Sequence, residues 1–151
     1  MVTEWRRRTV PPEEKTYRDL EDALREPEKV RRLNLSKWGL EELPPQVLAF
    51  PNLQHLNLSG NRLRDLPPEI SRLRRLEELH LQDNHLETLP ASIGELVSLR
   101  ELYLWNNRLR RLPAALRSLG HLEIIILRGN PLPEEEKEAL RNSLPEAQIL
   151  G

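Results

Sequence analysis

Residues 53–75 read LQHLNLSGNRLRDLPPEISRLRR, and residues 76–98 read LEELHLQDNHLETLPASIGELVS, with leucine, asparagine and proline at the same places in both. The shift of 23 residues extends over most of the chain. It takes Asn61 to Asn84, Asn107 and Asn130, and it takes Pro67 to Pro90 and Pro113. The frame begins near Val30 and fades after Leu132, which makes four complete repeats and a truncated fifth. A fixed period of this length is typical of a solenoid, in which each repeat stacks on the next.

Each repeat contains two local patterns. In the first half apolar and polar residues alternate, as in LNL at residues 56–58, and this predicts a short strand with one buried face. In the second half apolar residues recur three apart after a proline, as at Pro67, Ile70 and Leu73, and this predicts a helical turn that starts at the proline. One such coil cannot bury its own leucines. Stacked neighbours must therefore supply the core, and the strands must form a parallel sheet.

The unit L-x-x-L-x-L-x-x-N-x-L-x-x-L-P-x-x-I-x-x-L resembles the leucine-rich-repeat family in its 23-residue variant, over residues 30–132. The resemblance implies an α/β solenoid with a curved parallel β-sheet on the concave side and short helical turns on the convex side. It also implies a buried ladder of hydrogen bonds from the repeated asparagines to the adjoining coil, at Asn61, Asn84, Asn107 and Asn130. An unpaired buried amide would cost about 1–3 kcal/mol. The first repeat has Trp38 at this place, and we expect its side chain to form part of a lid.

An open solenoid needs atypical segments that cover its two end coils. In residues 11–29, apolar side chains at helical spacing predict an amphipathic capping helix that contains Tyr17, Leu20, Ala23 and Leu24. After Pro133, three glutamates predict the first turn of a second helix. We expect that helix and the end of the chain to shield the last repeat through Leu132, Leu140, Leu144 and Ile149.

These patterns predict one domain over residues 1–151. Residues 1–29 would form an N-terminal arm and capping helix, residues 30–132 five repeats, and residues 133–151 a C-terminal cap. Because atypical segments stand at both ends, we expect a complete small protein rather than a piece of a longer array.

The composition argues against several classes of function. The chain has 23 Lys and Arg against 24 Asp and Glu, and the net charge of -1 gives no general attraction to nucleic acid or to an anionic membrane. There is no cysteine, which excludes disulfides, thiolate metal sites and cysteine nucleophiles. No apolar run follows the arginines at positions 6–8, so the N-terminus does not resemble a signal peptide or membrane anchor. We expect a cytoplasmic protein that binds no cofactor.

The inner face of the predicted sheet carries the clearest sign of a binding site. Its apolar side chains gather toward the C-terminal strands, at Tyr103, Trp105, Ile124 and Ile126, and charged or polar groups flank them, at Glu78, His80, Glu101 and Arg128. The core leucines point the other way, so the repeat itself does not require these aromatic rings. An apolar patch with a polar rim is typical of interfaces, and Tyr and Trp are frequent hot-spot residues. These eight residues are therefore predicted to bind a protein or peptide.

Other interpretations of this face stay open. Residues 124–126 could be a final strand that the C-terminal segment covers in part. The patch could also serve self-association, so that the chain is a monomer or a weak homodimer. The L-P-x-x-I repeat resembles that of Ras-pathway scaffolds, and a role in small GTPase signalling is a further alternative by analogy only.

Two other groups of residues are predicted to be structural. Five arginines follow the ladder positions and would lie along one edge, at Arg62, Arg64, Arg108, Arg110 and Arg111, but Asp65 and Glu87 interrupt them, so we interpret them as a solvated edge. His55 and His80 fall on adjacent strands near Glu78, without a spacing motif for a metal. No phosphate-binding glycine loop, Ser/His/Asp set or HExxH motif occurs. We therefore predict no metal site, no catalytic residue and no enzymatic activity.

Overall fold

The computed structural model describes residues 15–151. It shows a curved, unclosed sheet of seven parallel strands that follow one another in chain order. The strands are β1 (Thr16–Tyr17), β2 (Arg32–Asn34), β3 (His55–Asn57), β4 (Glu78–His80), β5 (Glu101–Tyr103), β6 (Ile124–Ile126) and β7 (Gln148–Leu150). This architecture confirms the predicted solenoid and adds one strand at each end of the five that the repeats contain.

From β2 to β6 the strands pair without any slip, so that residues 23 apart lie side by side. The central residue of each strand points into the core and is buried, at Leu33, Leu56, Leu79, Leu102 and Ile125. The flanking residues are only partly covered, because successive side chains of a strand point to opposite faces. The repeat thus fixes which side chains are displayed on the concave face.

The convex side is built from short 3₁₀-helices, at Pro45–Ala49, Pro68–Arg72, Ala91–Glu95 and Ala114–Ser118. Each begins directly after the repeated proline, close to its predicted start. The tight i to i+3 pattern is shown by the amide of Ile70, which donates to the carbonyl of Pro67 at 3.0 Å. Ile70 and its equivalents point inward and are fully buried, so these turns close the leucine core from outside.

The asparagine ladder is present and links consecutive coils. Asn84 donates from Nδ2 to the carbonyls of Leu58 and Leu81, both at 3.0 Å, and its Oδ1 accepts from the amide of Leu63 at 3.0 Å. The Leu58 carbonyl also accepts from Asn61 at 2.8 Å, so it is shared by the asparagines of two repeats. The corresponding bonds recur at Asn107 and Asn130. The buried amides are thereby satisfied, as their burial requires.

The residue before each ladder position adopts a left-handed conformation. Its φ lies between 56° and 77° in all five repeats, at Lys37, Gly60, Asp83, Asn106 and Gly129. This conformation favours glycine, and asparagine and aspartate tolerate it better than other residues do. Lysine at the first of these positions is therefore the least suited of the five.

The N-terminal cap differs from the prediction in two respects. Tyr17 lies in β1, where it is buried beside Leu33, and the helix α1 is confined to Leu20–Leu24. The side chain of Asp19 accepts from the amide of Glu21 at 2.8 Å and so starts the helix, which leaves too few residues for an amphipathic face. Ala23 is buried, but 39% of Leu24 is exposed. Residues 11–14 of the predicted capping segment, and the arm before them, lie outside the described part of the chain.

The expectation for Trp38 is wrong, because 54% of its side chain is exposed and it does not cover the core. Its backbone amide donates to Oδ1 of Asn61 at 2.9 Å, so the ladder is continued at this place by the backbone. The end coil is covered by β1 and α1 instead.

The C-terminal cap consists of helix α2 (Glu134–Ser143) followed by β7. Pro133 precedes the first helical residue, and three glutamates occupy the first turn, where they face the positive end of the helix dipole. Leu140 and Leu144 are buried, and Ile149 is half-buried against the core, as the sequence predicts.

Candidate binding face

The concave face is lined by the first residue of every strand and by the third residue of β2 to β7. For β2 to β6 it also includes the residue two places after the end of the strand, which for β5 is Trp105. Going across the sheet, the first column is Thr16, Arg32, His55, Glu78, Glu101, Ile124 and Gln148. Parallel strands lie about 4.8 Å apart, so each side chain of a column neighbours the next. The apolar and aromatic residues of these columns lie on the C-terminal strands or just after them, at Tyr103, Trp105, Ile124, Ile126 and Leu150.

Glu78 occupies the centre of this face, between two histidines. His80 Nε2 lies 3.1 Å from Glu78 Oε1 in hydrogen-bonding geometry. His55 Nδ1 lies 2.5 Å from Glu78 Oε2, but its orientation does not make a directed hydrogen bond. Burial raises the pKa of the Glu78 carboxyl, but the hydrogen bond from His80 and the charges of both imidazoles outweigh it, so the pKa lies below its usual value. The two histidines thus stabilise the ionised form of the Glu78 side chain.

Tyr103 is fixed by its neighbours on both sides. Its ring stacks on the His80 imidazole, with centroids 4.5 Å apart and planes 23° from parallel. Its phenol donates a hydrogen bond to the carboxylate of Glu101. Partial burial raises the pKa of the Tyr103 phenol well above its usual range, and the hydrogen bond to Glu101 and the negative charges of Glu101 and Glu78 add to the rise. The phenol therefore stays protonated as a donor.

Beyond Tyr103 the face becomes an apolar groove. The Trp105 ring meets the Tyr103 ring edge to face, and Tyr103 pairs in register with Ile126 on the next strand. A groove of about 380 Å³ is lined by Trp105, Asn106, Ile126, Arg128 and Leu150. Of these, Leu150 is 41% exposed although it is apolar. We call these five residues the C-terminal groove.

All eight residues predicted from the sequence lie on this one face. Glu78, His80, Glu101, Tyr103 and Trp105 form a chain of direct contacts. Ile124 and Ile126 lie on the adjoining strand, and Arg128 lines the groove. The strand β7 pairs along the edge of β6, while the side chains of Ile124 and Ile126 stay partly exposed.

Leu150 was missed by the sequence analysis. The period of 23 would place Ile149 beside Ile126 on the concave face, whereas Ile126 pairs with Leu150, one residue later. The last coil contains a full α-helix in place of a 3₁₀-helix, and its length shifts the frame by one residue. The sequence signal that could have revealed Leu150 is the alternation of side chains along Gln148–Leu150. If Ile149 points to the core, Leu150 must point to the concave face.

The predicted solvated edge carries charges of both signs. A groove of about 490 Å³ at this rim is lined by Glu41, Glu42, Arg62, Arg64, Asp65 and His85. Although it is larger than the C-terminal groove, its lining is charged and mixed. A lining with charges of both signs favours neither an anionic nor a cationic ligand, so this groove is not a candidate binding site.

Two further features bear on the class of protein. In residues 15–151, no three His, Cys, Asp or Glu side chains come together in a way that would hold a metal ion. Within the same residues, every helix is too short or too polar to cross a lipid bilayer.

Comparisons with known proteins agree with the geometry. A leucine-rich-repeat protein of Leptospira interrogans has a similar solved structure, with a TM-score of 0.80 and 37% sequence identity over 89% of this chain. This chain covers 34% of that protein, about a third of its length. No curated protein matches. The family model for the leucine-rich repeat region matches residues 21–150. Because that match spans most of the sequence, and because coil, ladder and sheet follow the family pattern, the chain belongs to the leucine-rich-repeat family.

Proposed function

We propose that this protein binds another protein or a peptide on the concave face of its sheet, and that it carries out no catalysis of its own. Leucine-rich-repeat solenoids use their curved inner surface for binding in general. The observation that carries the proposal is the cluster of Tyr103, Trp105 and Ile126, which are side by side, apolar and partly exposed on that surface. The core does not require these side chains.

The rings are also held in place before any partner arrives. Tyr103 is stacked on His80, hydrogen-bonded to Glu101 and in edge contact with Trp105. A side chain that is already ordered loses less entropy when it is buried by a partner, and about 0.5–1.5 kcal/mol is saved for each such group. Tyrosine and tryptophan side chains are also enriched among the hot spots of protein interfaces.

The test compares the protein with a Tyr103→Ala, Trp105→Ala double variant and with Trp38→Ala. Trp38 is an exposed tryptophan away from the strands and serves as the matched control. Each variant is used to capture proteins from a lysate of the source organism. A protein that binds the unchanged chain and the control but not the double variant is a partner of the concave face. Titration of a purified partner should then show at least about a 30-fold weaker Kd for the double variant.

Equal affinity of the double variant and the unchanged chain would contradict the proposal. A small GTPase enters this test as one candidate partner, on the analogy of the repeats alone. Self-association is distinguished by light scattering on the purified chain. A dimer that the double variant converts to monomer would assign the patch to a homodimer interface instead.

A further inference from the structure

The charges on the concave face differ in whether they already have a partner. The carboxylate of Glu78 is contacted by His80 and His55, and the carboxylate of Glu101 accepts from the phenol of Tyr103. Both acidic groups in the middle of the face are therefore engaged within the protein. They are poorly placed to recruit a cation from a ligand without the loss of these contacts.

Arg128 has no such partner in the described part of the chain, residues 15–151. Its side chain is exposed, it lines the C-terminal groove, and in residues 15–151 it makes neither an ion pair nor a side-chain hydrogen bond. Asp83, an acidic residue near this end of the face, accepts instead from Nδ2 of Asn106 at 2.9 Å. The groove thus combines an apolar wall with one guanidinium, and no group of residues 15–151 occupies the donors of that guanidinium.

The apolar wall and Arg128 belong to the same groove. Trp105, Ile126 and Leu150 line the same groove of about 380 Å³ as Arg128. This volume admits one or two large side chains, while the planar guanidinium matches a carboxylate through two parallel hydrogen bonds. A ligand that fills the groove would have to bring both an apolar group and an anion.

We propose that the C-terminal groove recognises a linear segment of the partner in which a large apolar side chain stands next to an acidic residue. The apolar side chain would pack between Trp105, Ile126 and Leu150, and its neighbouring carboxylate would pair with Arg128. This inference rests on the proposed function, because it names the chemistry of the partner that the concave face binds.

The experiment is a selection of phage-displayed random heptapeptides against the purified chain, followed by sequencing. The enriched peptides should carry Asp or Glu within about two residues of Leu, Ile, Phe or Trp. The same selection against Arg128→Glu should lose the acidic preference and enrich Lys or Arg instead. Arg108→Glu is the matched control, because Arg108 is an exposed arginine outside the groove.

Binding of a selected synthetic peptide is then measured by fluorescence polarisation. A charge-assisted hydrogen bond contributes about 1.5–3 kcal/mol, so Arg128→Glu should weaken binding at least about tenfold. Arg128→Lys keeps the charge but not the planar fork and should give an intermediate loss. Arg108→Glu should leave the Kd within about twofold.

The outcomes separate this inference from the proposed function. The inference would be overturned by peptides that show no acidic preference and bind Arg128→Glu as well as the unchanged chain. If these peptides still lost affinity for the Tyr103→Ala, Trp105→Ala double variant, binding on the concave face would remain supported. Peptides that bind the double variant as well as the unchanged chain would contradict both. A selection that enriches no sequence would also contradict the inference, because it requires a short linear segment.

Discussion

The ring of Trp105 meets the ring of Tyr103 edge to face, with centroids 5.8 Å apart and planes at 83°. Tyr103 in turn stacks on His80 from the neighbouring strand. Three rings therefore form a continuous row from β4 through β5 to the residue two places after it, on the face that points away from the leucine core. The row holds each ring in one orientation while part of its surface stays exposed. This arrangement suits a binding face, and it predicts how these residues respond to substitution.

Substitution of the aromatic pair should leave the fold intact. Neither ring lies in the core, so Tyr103→Ala and Trp105→Ala should each retain the cooperative unfolding transition of the unchanged chain. Edge-to-face pairs contribute about 0.5–1.5 kcal/mol beyond the area that they bury, and a double-mutant cycle in urea denaturation should give a coupling energy of this size. A coupling energy near zero would show that the two rings do not contact each other in solution.

The ladder should be sensitive to the loss of a single asparagine. Asn84→Ala removes the acceptor for the buried amide of Leu63 and a donor from two shared carbonyls, and the free energy of unfolding should fall by about 1–3 kcal/mol. Asn142→Ala is the control, since Asn142 is exposed on α2 and should change stability by less than about 0.5 kcal/mol. Equal effects of the two substitutions in urea denaturation would refute the structural role of the ladder.

At the left-handed position before the ladder, two substitutions should change the stability of the protein in opposite directions. At Gly129 the φ is 77°, and an added Cβ would lie 3.0 Å from the backbone nitrogen of Asn106, so Gly129→Ala should destabilise by at least about 1 kcal/mol. Lys37→Gly relieves a φ of 59° and should raise the melting temperature, although greater freedom of the unfolded chain offsets part of the gain.

Gly120→Ala is the control for this pair. Its φ lies outside the left-handed region, and no atom of residues 15–151 stands within 4 Å of its added Cβ, so the melting temperature should hardly change. A stabilising effect of Gly129→Ala, or a destabilising effect of Lys37→Gly, would contradict the assigned backbone conformation.

Glu78 should make stability depend on acidic pH. Its pKa in the folded protein lies below its usual value, so its stabilising contribution is complete above the pKa of the unfolded chain, about 4.3, and is lost as the pH falls through the folded pKa. Glu78→Gln should lower the free energy of unfolding by about 1 kcal/mol or less at pH 7, and by a smaller amount at pH 2.5.

Urea denaturation at pH 7, 4 and 2.5 measures this change. Glu87→Gln is the control, because Glu87 is exposed and makes no ion pair within residues 15–151. A difference between Glu78→Gln and the unchanged chain that is larger at pH 2.5 than at pH 7 would have the wrong sign and would exclude the proposed stabilisation of the carboxylate.

The end coils show where sequence reasoning lost accuracy. Tyr17 follows helical spacing with Leu20 and Ala23, yet it lies in β1, because an unpaired sheet edge is satisfied by any extended segment that reaches it. Trp38 stands at a ladder position, yet its side chain is exposed, and only its backbone amide bonds to Asn61. Local spacing does not describe such long-range pairings.

The sequence by itself determined the features that recur in every repeat. A leucine repeated every 23 residues has one environment in each coil, so the parallel register, the buried ladder and the displayed columns were all readable, including the predicted face with Tyr103 and Trp105. The periodicity sufficed because each repeat contacts only its neighbours.

Tertiary structure decided what occurs only once. Three such features are the pairing of Ile126 with Leu150, the place of Arg128 in the C-terminal groove and the contacts of Glu78, which all depend on how particular side chains meet across strands. So does the close approach at Gly94, where an added Cβ would lie 2.6 Å from the carbonyl oxygen of Ala115 on the next turn. These relationships have no period, because they follow from packing between unlike residues, and packing is defined only once the coils are stacked.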